Sequence, residues 1–251
     1  MKIGKTTRLD FGKCTWLTSI VCSTVFLLNQ QASAETVGKN GRFGGITLRY
    51  KVILPNGYDP ARAYPAVLAF PGGRQTIDGV DSSLDRNWRA EAEGRGYIIV
   101  SPAAPSNHSF FEQGAERLFP EFLDQILRDY KIEGGKFHIA GASNGGLSAF
   151  YIAAMHPQYF RSVTGFPGYL QYESDSKINA LQPLCMYMHV GERDPEWLAP
   201  MQRQFESFRE KGFHVRFSIE ADEGHGIQGL AGEGAKRLFD QLEEAARGCQ
   251  F

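Results

Sequence analysis

Residues 137–155 read FHIAGASNGGLSAFYIAAM. Phe137 to Gly141 form a short apolar run, Ser143 stands between Gly141 and Gly145, and a segment with helical spacing follows. In that segment Leu147, Phe150, Tyr151 and Ala154 share one face. Residues 141–145 match G-x-S-x-G, the pattern of a sharp strand-to-helix turn that exposes a hydroxyl. With 28 glycines in 251 residues, a bare match arises by chance in roughly one unrelated chain in five. The flanking strand and helix are what give it weight. Glycines on both sides let the two elements approach without Cβ clashes, and the helix directs its positive end toward the hydroxyl.

Outward from this turn, apolar and β-branched runs predict strands near 46–54, 66–70, 97–101, 137–141, 161–166, 184–190 and 214–219. Helical patterns fall near 83–94, 115–130, 144–155, 197–211 and 231–246. Continuous runs such as AVLAF suit strands buried on both faces. The alternation predicts a mostly parallel, twisted α/β sheet with helices on both faces. Functional groups in such sheets gather in the loops after the strand C-terminal ends. Residues 167–183 leave room for a loop and a turn or two but not for a sizeable lid domain, so an open pocket is expected.

Residues 1–34 carry Lys2, Lys5, Arg8 and Lys13, then the apolar stretch WLTSIVCSTVFLL, then the small residues Ala32 and Ala34. This is the pattern of a secretory signal peptide cleaved before Glu35. An apolar core of about thirteen residues is short for a membrane span. The expected mature chain, 35–251, is a single domain free of the membrane, secreted or periplasmic. It keeps 23 basic and 27 acidic residues, which is not the balance of a nucleic-acid binder. Composition offers no basis for an oligomeric state.

A serine hydroxyl needs a base, and the base needs a partner that orients it. Among six histidines, His225 lies in the polar, glycine-flanked loop ADEGHGIQG after the last strand. His138 and His189 sit inside apolar runs as core residues, and His156 precedes Pro157 at a helix end. His108 in APSNHSFF is the rival base, or else lines the pocket. The acid loop GERDPEW offers Glu192, Asp194 and Glu196; Asp194, stiffened by Pro195, is the expected partner. Asp222 and Glu223 read as a solvated turn. The backbone N–H of Asn144 is one expected donor to the oxyanion, and Gly73 or Arg74 in the loop PGGRQT is the other. Phe110, Phe111, Tyr169, Tyr172 and Trp197 follow strands and are candidates for an aromatic pocket wall.

The residues GASNGG, GERD and EGHG, in that order behind FPGGRQ, resemble the α/β-hydrolase superfamily. Within it they resemble the single-domain secreted esterases of the polyhydroxybutyrate-depolymerase-like and feruloyl-esterase-like group. The resemblance runs from about residue 45 to about 246. It implies a Ser143–Asp194–His225 triad, an acyl-enzyme intermediate and no cofactor. FPGGRQ departs from that group, which usually has a histidine before the glycine.

A secreted peptidase of prolyl-oligopeptidase type shares the turn and the residue order, and is the alternative reading. A non-catalytic binding protein on the same scaffold is a third, disfavoured because all three positions are filled. GASNGG lacks the spacing of a phosphate-binding loop. Neither HExxH nor a tight His and carboxylate cluster appears, so no metal is called for.

Cys14 and Cys22 leave with the predicted leader, so the mature chain keeps Cys185 and Cys249. Cys185 opens the strand before the acid loop, and Cys249 follows a helix that starts on the active-site side and runs back across the sheet. Both thiols should then meet at the opposite sheet edge, and a disulfide is expected.

Overall fold

The computed structural model describes Met1 and residues 35–105, 109–112 and 114–249. The predicted leader, with Cys14 and Cys22, and His108 lie outside the described residues. Eight strands form one sheet: β1 (Glu35–Phe43), β2 (Ile46–Leu54), β3 (Ala66–Phe70), β4 (Ile98–Ala103), β5 (Phe137–Gly141), β6 (Phe160–Gly165), β7 (Cys185–Gly191) and β8 (Val215–Glu220), in the order β1-β2-β4-β3-β5-β6-β7-β8. The β1–β2 and β2–β4 pairs are antiparallel and the remaining pairs are parallel.

Alternation along the central strands produces two cores. Leu68, Phe70, Ile98, Val100 and Ile139 face one side, and Val67, Ala69, Ile99 and Ala140 face the other. The first core is covered by α3 (Phe119–Asp129), α4 (Asn144–Met155), α5 (Asp175–Ala180) and α6 (Pro195–Glu210). The second is covered by α1 (Ile77–Ser83), α2 (Arg89–Arg95) and α7 (Lys236–Ala246). Helix α3 shows why: Phe119, Phe122, Leu123 and Ile126 recur at helical spacing and are all fully buried.

The predicted strands 46–54, 66–70 and 137–141 and the helix 144–155 coincide with the observed bounds. Three differences are informative. Strand β1 was not expected, because ETVGKNGRF is polar and mostly exposed. It forms as an edge strand hairpinned to β2 through Gly44 and Gly45, whose φ values of 53° and 77° suit a tight two-residue turn. The predicted helix 83–94 is instead α1, a π-helical turn (Leu84–Trp88) and α2. The helical patterns at 115–130 and 231–246 begin with 3₁₀ turns before α3 and α7. Segment 167–183, as expected, holds no sizeable lid: it carries the single short helix α5.

Cys185, at the start of β7, is disulfide-bonded to Cys249 with Cα atoms 5.4 Å apart. The bridge ties the chain beyond α7 to the sheet, beside Tyr187 and Ala245. No helix among the described residues is long and apolar enough to cross a membrane.

Candidate active site

The turn between β5 and α4 owes its shape to backbone crowding. A Cβ on Gly141 would lie 2.3 Å from the Gly145 carbonyl oxygen, and one on Gly145 would lie 2.4 Å from that of Phe70. Any side chain at either position would push strand and helix apart. Ser143, between them, holds φ 55° and ψ −124°. That is strained backbone for a residue with a Cβ. Its N–H donates to the Pro167 carbonyl at 2.8 Å, and its carbonyl accepts the Leu147 N–H at 3.0 Å.

Loops after two further parallel strands, β7 and β8, bring the other groups to this serine. Ser143 Oγ lies 2.8 Å from His225 Nε2, and His225 Nδ1 lies 2.7 Å from Asp194 Oδ2. Asp194 occupies the N-cap position of α6, with Pro195 as the first helical residue, yet its side chain makes no capping bond. Its carboxylate therefore points to the imidazole. Asp194 is buried, while 47% of the His225 side chain is exposed. The Trp197 ring packs 5.1 Å from the imidazole.

The other carboxylates near these loops have different partners. Glu192 Oε2 accepts the Asp222 N–H at 3.0 Å. Glu223 accepts the N–H groups of Gln228 (3.0 Å) and Gly229 (2.7 Å), closing the loop that presents His225. Asp222 is exposed and lies 3.5 Å from Arg193, and Glu196 lines the pocket. His189 is buried, bonded to Glu220 and Gln241. The Arg237 guanidinium also bonds Glu220 through both of its oxygens. The His189 bond, then the Arg237 bonds, hold the Glu220 carboxyl down at about 2, against the opposing effect of burial.

Asn144 begins α4, and its Nδ2 donates to the Gly73 carbonyl at 3.0 Å, so the loop after β3 abuts the turn that presents Ser143, here called the elbow. Two hollows flank the serine. The larger, about 500 Å³, is lined by Arg74, Asn144, Phe111, Tyr169, Tyr172 and Trp197 among others. The smaller, about 290 Å³, is lined by Ser143 and His225 with Gly72, Arg86, Phe166 and Ile227. In the larger hollow Phe111 stands 6.1 Å from Tyr172, and Tyr169 stands 5.6 Å from Trp197, measured between ring centroids.

Phe110 is a correction: it is fully buried against Phe70 and Phe119, both 5.1 Å away, and belongs to the core rather than to the pocket. Adjacent phenylalanines on a turn point in opposite directions, and Phe111 is the one left at the surface of the hollow. Sequence reasoning also missed Arg86 and Ile227. Nothing in their local pattern announces them, since they reach the site from the π-helical turn and from beyond the histidine. Among the described residues no group of three or more His, Cys, Asp or Glu side chains could hold a metal ion.

Comparison with known proteins bears on the fold and the family. Dipeptidyl-peptidase 5 of Porphyromonas gingivalis is 29% identical over 141 residues, which is 52% of this chain and 20% of that protein. The chain thus spans about a fifth of the length of that curated relative. Among solved structures, a ferulic acid esterase superposes with a TM-score of 0.65 at 18% identity, covering 86% of this chain and 98% of that one. The feruloyl esterase module from Clostridium thermocellum, complexed with sinapinate, superposes with a TM-score of 0.62 at 17% identity, covering 77% and 82%. These likenesses show the α/β-hydrolase fold. The Esterase family model matches residues 45–225, from the start of β2 to His225, and the chain belongs to that family.

Proposed function

We propose that this hydrolase is a secreted serine esterase acting on carboxylic esters through Ser143, His225 and Asp194. The observation that carries the reading is the unbroken hydrogen-bond chain of 2.8 and 2.7 Å from Ser143 Oγ through the imidazole to the Asp194 carboxylate. His225 Nε2 takes the hydroxyl proton as Oγ attacks the ester carbonyl, and Asp194 fixes the tautomer and stabilises the imidazolium. The carbonyl electron pair moves to oxygen, where the N–H of Asn144 and that of Gly73 or Arg74 receive it. Collapse expels the alcohol, protonated by Nε2. Water then enters by the same route and releases the acid. The aromatic pairs Phe111–Tyr172 and Tyr169–Trp197 offer flat apolar faces for one arm of the ester. Export is supported by the leader-like pattern of residues 1–34 and by the Cys185–Cys249 disulfide, which suits an oxidising compartment.

The similarity to a dipeptidyl-peptidase supports a second reading, peptide-bond hydrolysis by the same triad. A screen of purified protein separates the two: aryl esters of increasing acyl length and hydroxycinnamoyl esters against aminoacyl and dipeptidyl anilides. Ester turnover without anilide turnover is the expected result, together with fluorophosphonate labelling at Ser143. Anilide turnover at comparable efficiency favours the peptidase.

A further inference from the structure

Between β3 and α1 the chain reads Pro71-Gly72-Gly73-Arg74-Gln75-Thr76. Arg74 is exposed, whereas Gln75 is fully buried and holds a φ of 53° although it carries a side chain. A residue with a Cβ stays in that region only where its surroundings over-determine it. Here they do. The Gln75 N–H donates to the Gly72 carbonyl (3.4 Å), and its carbonyl accepts the Ala104 N–H (2.8 Å). Its Nε2 donates to the Pro71 carbonyl (3.2 Å) and to Ser148 Oγ (3.1 Å). Its Oε1 accepts the Phe110 N–H (3.0 Å) and the Ser148 hydroxyl (3.2 Å). The Phe110 donor and the Pro71 acceptor fix which end of the amide faces which way.

One buried side chain thus fastens the loop to its own start, to the segment after β4, and to α4 five residues beyond Ser143. The loop lies against the nucleophile: a Cβ on Gly72 would sit 3.6 Å from Ser143 Cβ, and Asn144 Nδ2 holds the Gly73 carbonyl. The sign of φ alternates from Gly72 to Gln75, positive at Gly73 (62°) and Gln75 (53°). Such alternation turns successive N–H groups to one side and makes an anion-binding concavity. The exposed Arg74 gives no sign of this, because the ordering comes from its buried neighbour.

We infer that Gln75 is a positioning residue: it holds the Gly73 and Arg74 N–H groups toward the oxyanion that forms when Ser143 attacks, without itself touching substrate. The inference rests on the serine-esterase reading above. Donors aimed at developing charge act on the transition state far more than on the bound ester, so misplacing them lowers kcat and spares KM.

The test compares wild type, Ser143→Ala, Gln75→Ala and Ser148→Ala on a p-nitrophenyl ester and against a trifluoromethyl ketone of matching acyl length. In the ketone adduct the serine oxygen bonds to carbon, the carbonyl pair moves to oxygen and the hydroxyl proton passes to His225, so the adduct reports on the oxyanion site. Gln75→Ala should lower kcat about 100-fold with KM within about threefold, and weaken the ketone in parallel with kcat/KM. Affinity for the product acid should not change. Ser148→Ala, which removes one partner of Gln75, should move the same quantities by about tenfold; it decides the matter should Gln75→Ala fail to fold. Folded variants that keep wild-type kcat, that raise KM alone, or that shift the pH–rate profile and so place the damage at His225, overturn the inference. Full turnover in Ser143→Ala would instead remove the esterase reading itself, and this inference with it.

Discussion

The backbone N–H of Arg193 donates to the Glu223 carbonyl at 2.8 Å, joining the loop that presents Asp194 to the loop that presents His225. The Glu223 carboxylate completes the joint by accepting the N–H groups of Gln228 and Gly229, so the stretch 223–229 around His225 closes on itself. Glu223→Ala leaves two N–H groups without their acceptor and frees the loop to spread. We expect kcat to fall about tenfold and unfolding free energy to fall by about 1 kcal/mol, read by steady-state kinetics and urea titration. Unchanged kcat would show that the Arg193 bond alone holds the imidazole.

Ser143→Ala is expected to lower kcat by roughly 10⁴-fold or more while the protein remains folded. Ser143→Gly adds a thermodynamic signature. Glycine adopts the positive φ of 55° seen here at little cost, so it should exceed the alanine variant in stability by about 1 kcal/mol. Equal melting temperatures for the two variants would mean that the elbow is not strained in solution.

Asp194→Asn should cost about 10³ to 10⁴ in kcat with little change in KM, because it disturbs the tautomer and charge of His225 rather than substrate binding. Glu192→Gln and Glu196→Gln should stay within a few-fold of wild type. A crippling effect from either one transfers the role of the acid to it.

Stability should depend on pH through Glu220. Its folded carboxyl is held at about 2 by His189 and Arg237, below the unfolded value of about 4.3. A depressed folded value means that its stabilisation is complete above the unfolded value and is lost as pH falls from there toward 2. Glu220→Gln should therefore cost roughly 2 kcal/mol at pH 7, a figure reduced for the partly exposed Arg237. The gap from wild type should close as the pH is lowered to about 2, measured by denaturant titration across that range. A gap that stays constant with pH would assign the cost to packing rather than to charge.

Cys249→Ser opens a link between residues 64 apart in sequence. It should lower unfolding free energy by about 2–4 kcal/mol, and wild type under reducing conditions should lose a similar amount. Because the bridge lies beyond α7, at the sheet edge away from Ser143, kcat at moderate temperature should hardly change. Alkylation of both Cys185 and Cys249 in the unreduced protein would show that the bridge does not form.

Much of the architecture was legible because its determinants are local. Continuous apolar runs mark strands covered on both faces, as in AVLAF, and i, i+3, i+4, i+7 spacing marks α3 before any partner is known. The glycines around Ser143 were equally legible, since only backbone crowding makes them necessary. Strand β1 escaped because an exposed edge strand carries no apolar signature; what pairs it is the Gly44–Gly45 turn and the ladder offered by β2.

From the sequence alone came the turn that presents Ser143, the order in which serine, acid and histidine follow one another, and the expectation that Cys185 and Cys249 meet. Tertiary structure decided which of the three acids in GERDPEW faces His225, 31 residues away, and brought that imidazole to a serine 82 residues distant. It also sent Phe110 into the core while leaving Phe111 at the pocket, placed Arg86 in the hollow that Ser143 lines, and buried Gln75 next to an exposed Arg74. Periodicity encodes which face of an element is buried. The direction of a side chain on an irregular loop is set instead by the neighbours that accept its hydrogen bonds, and those neighbours come from strands whose order in the sheet is not their order in the chain.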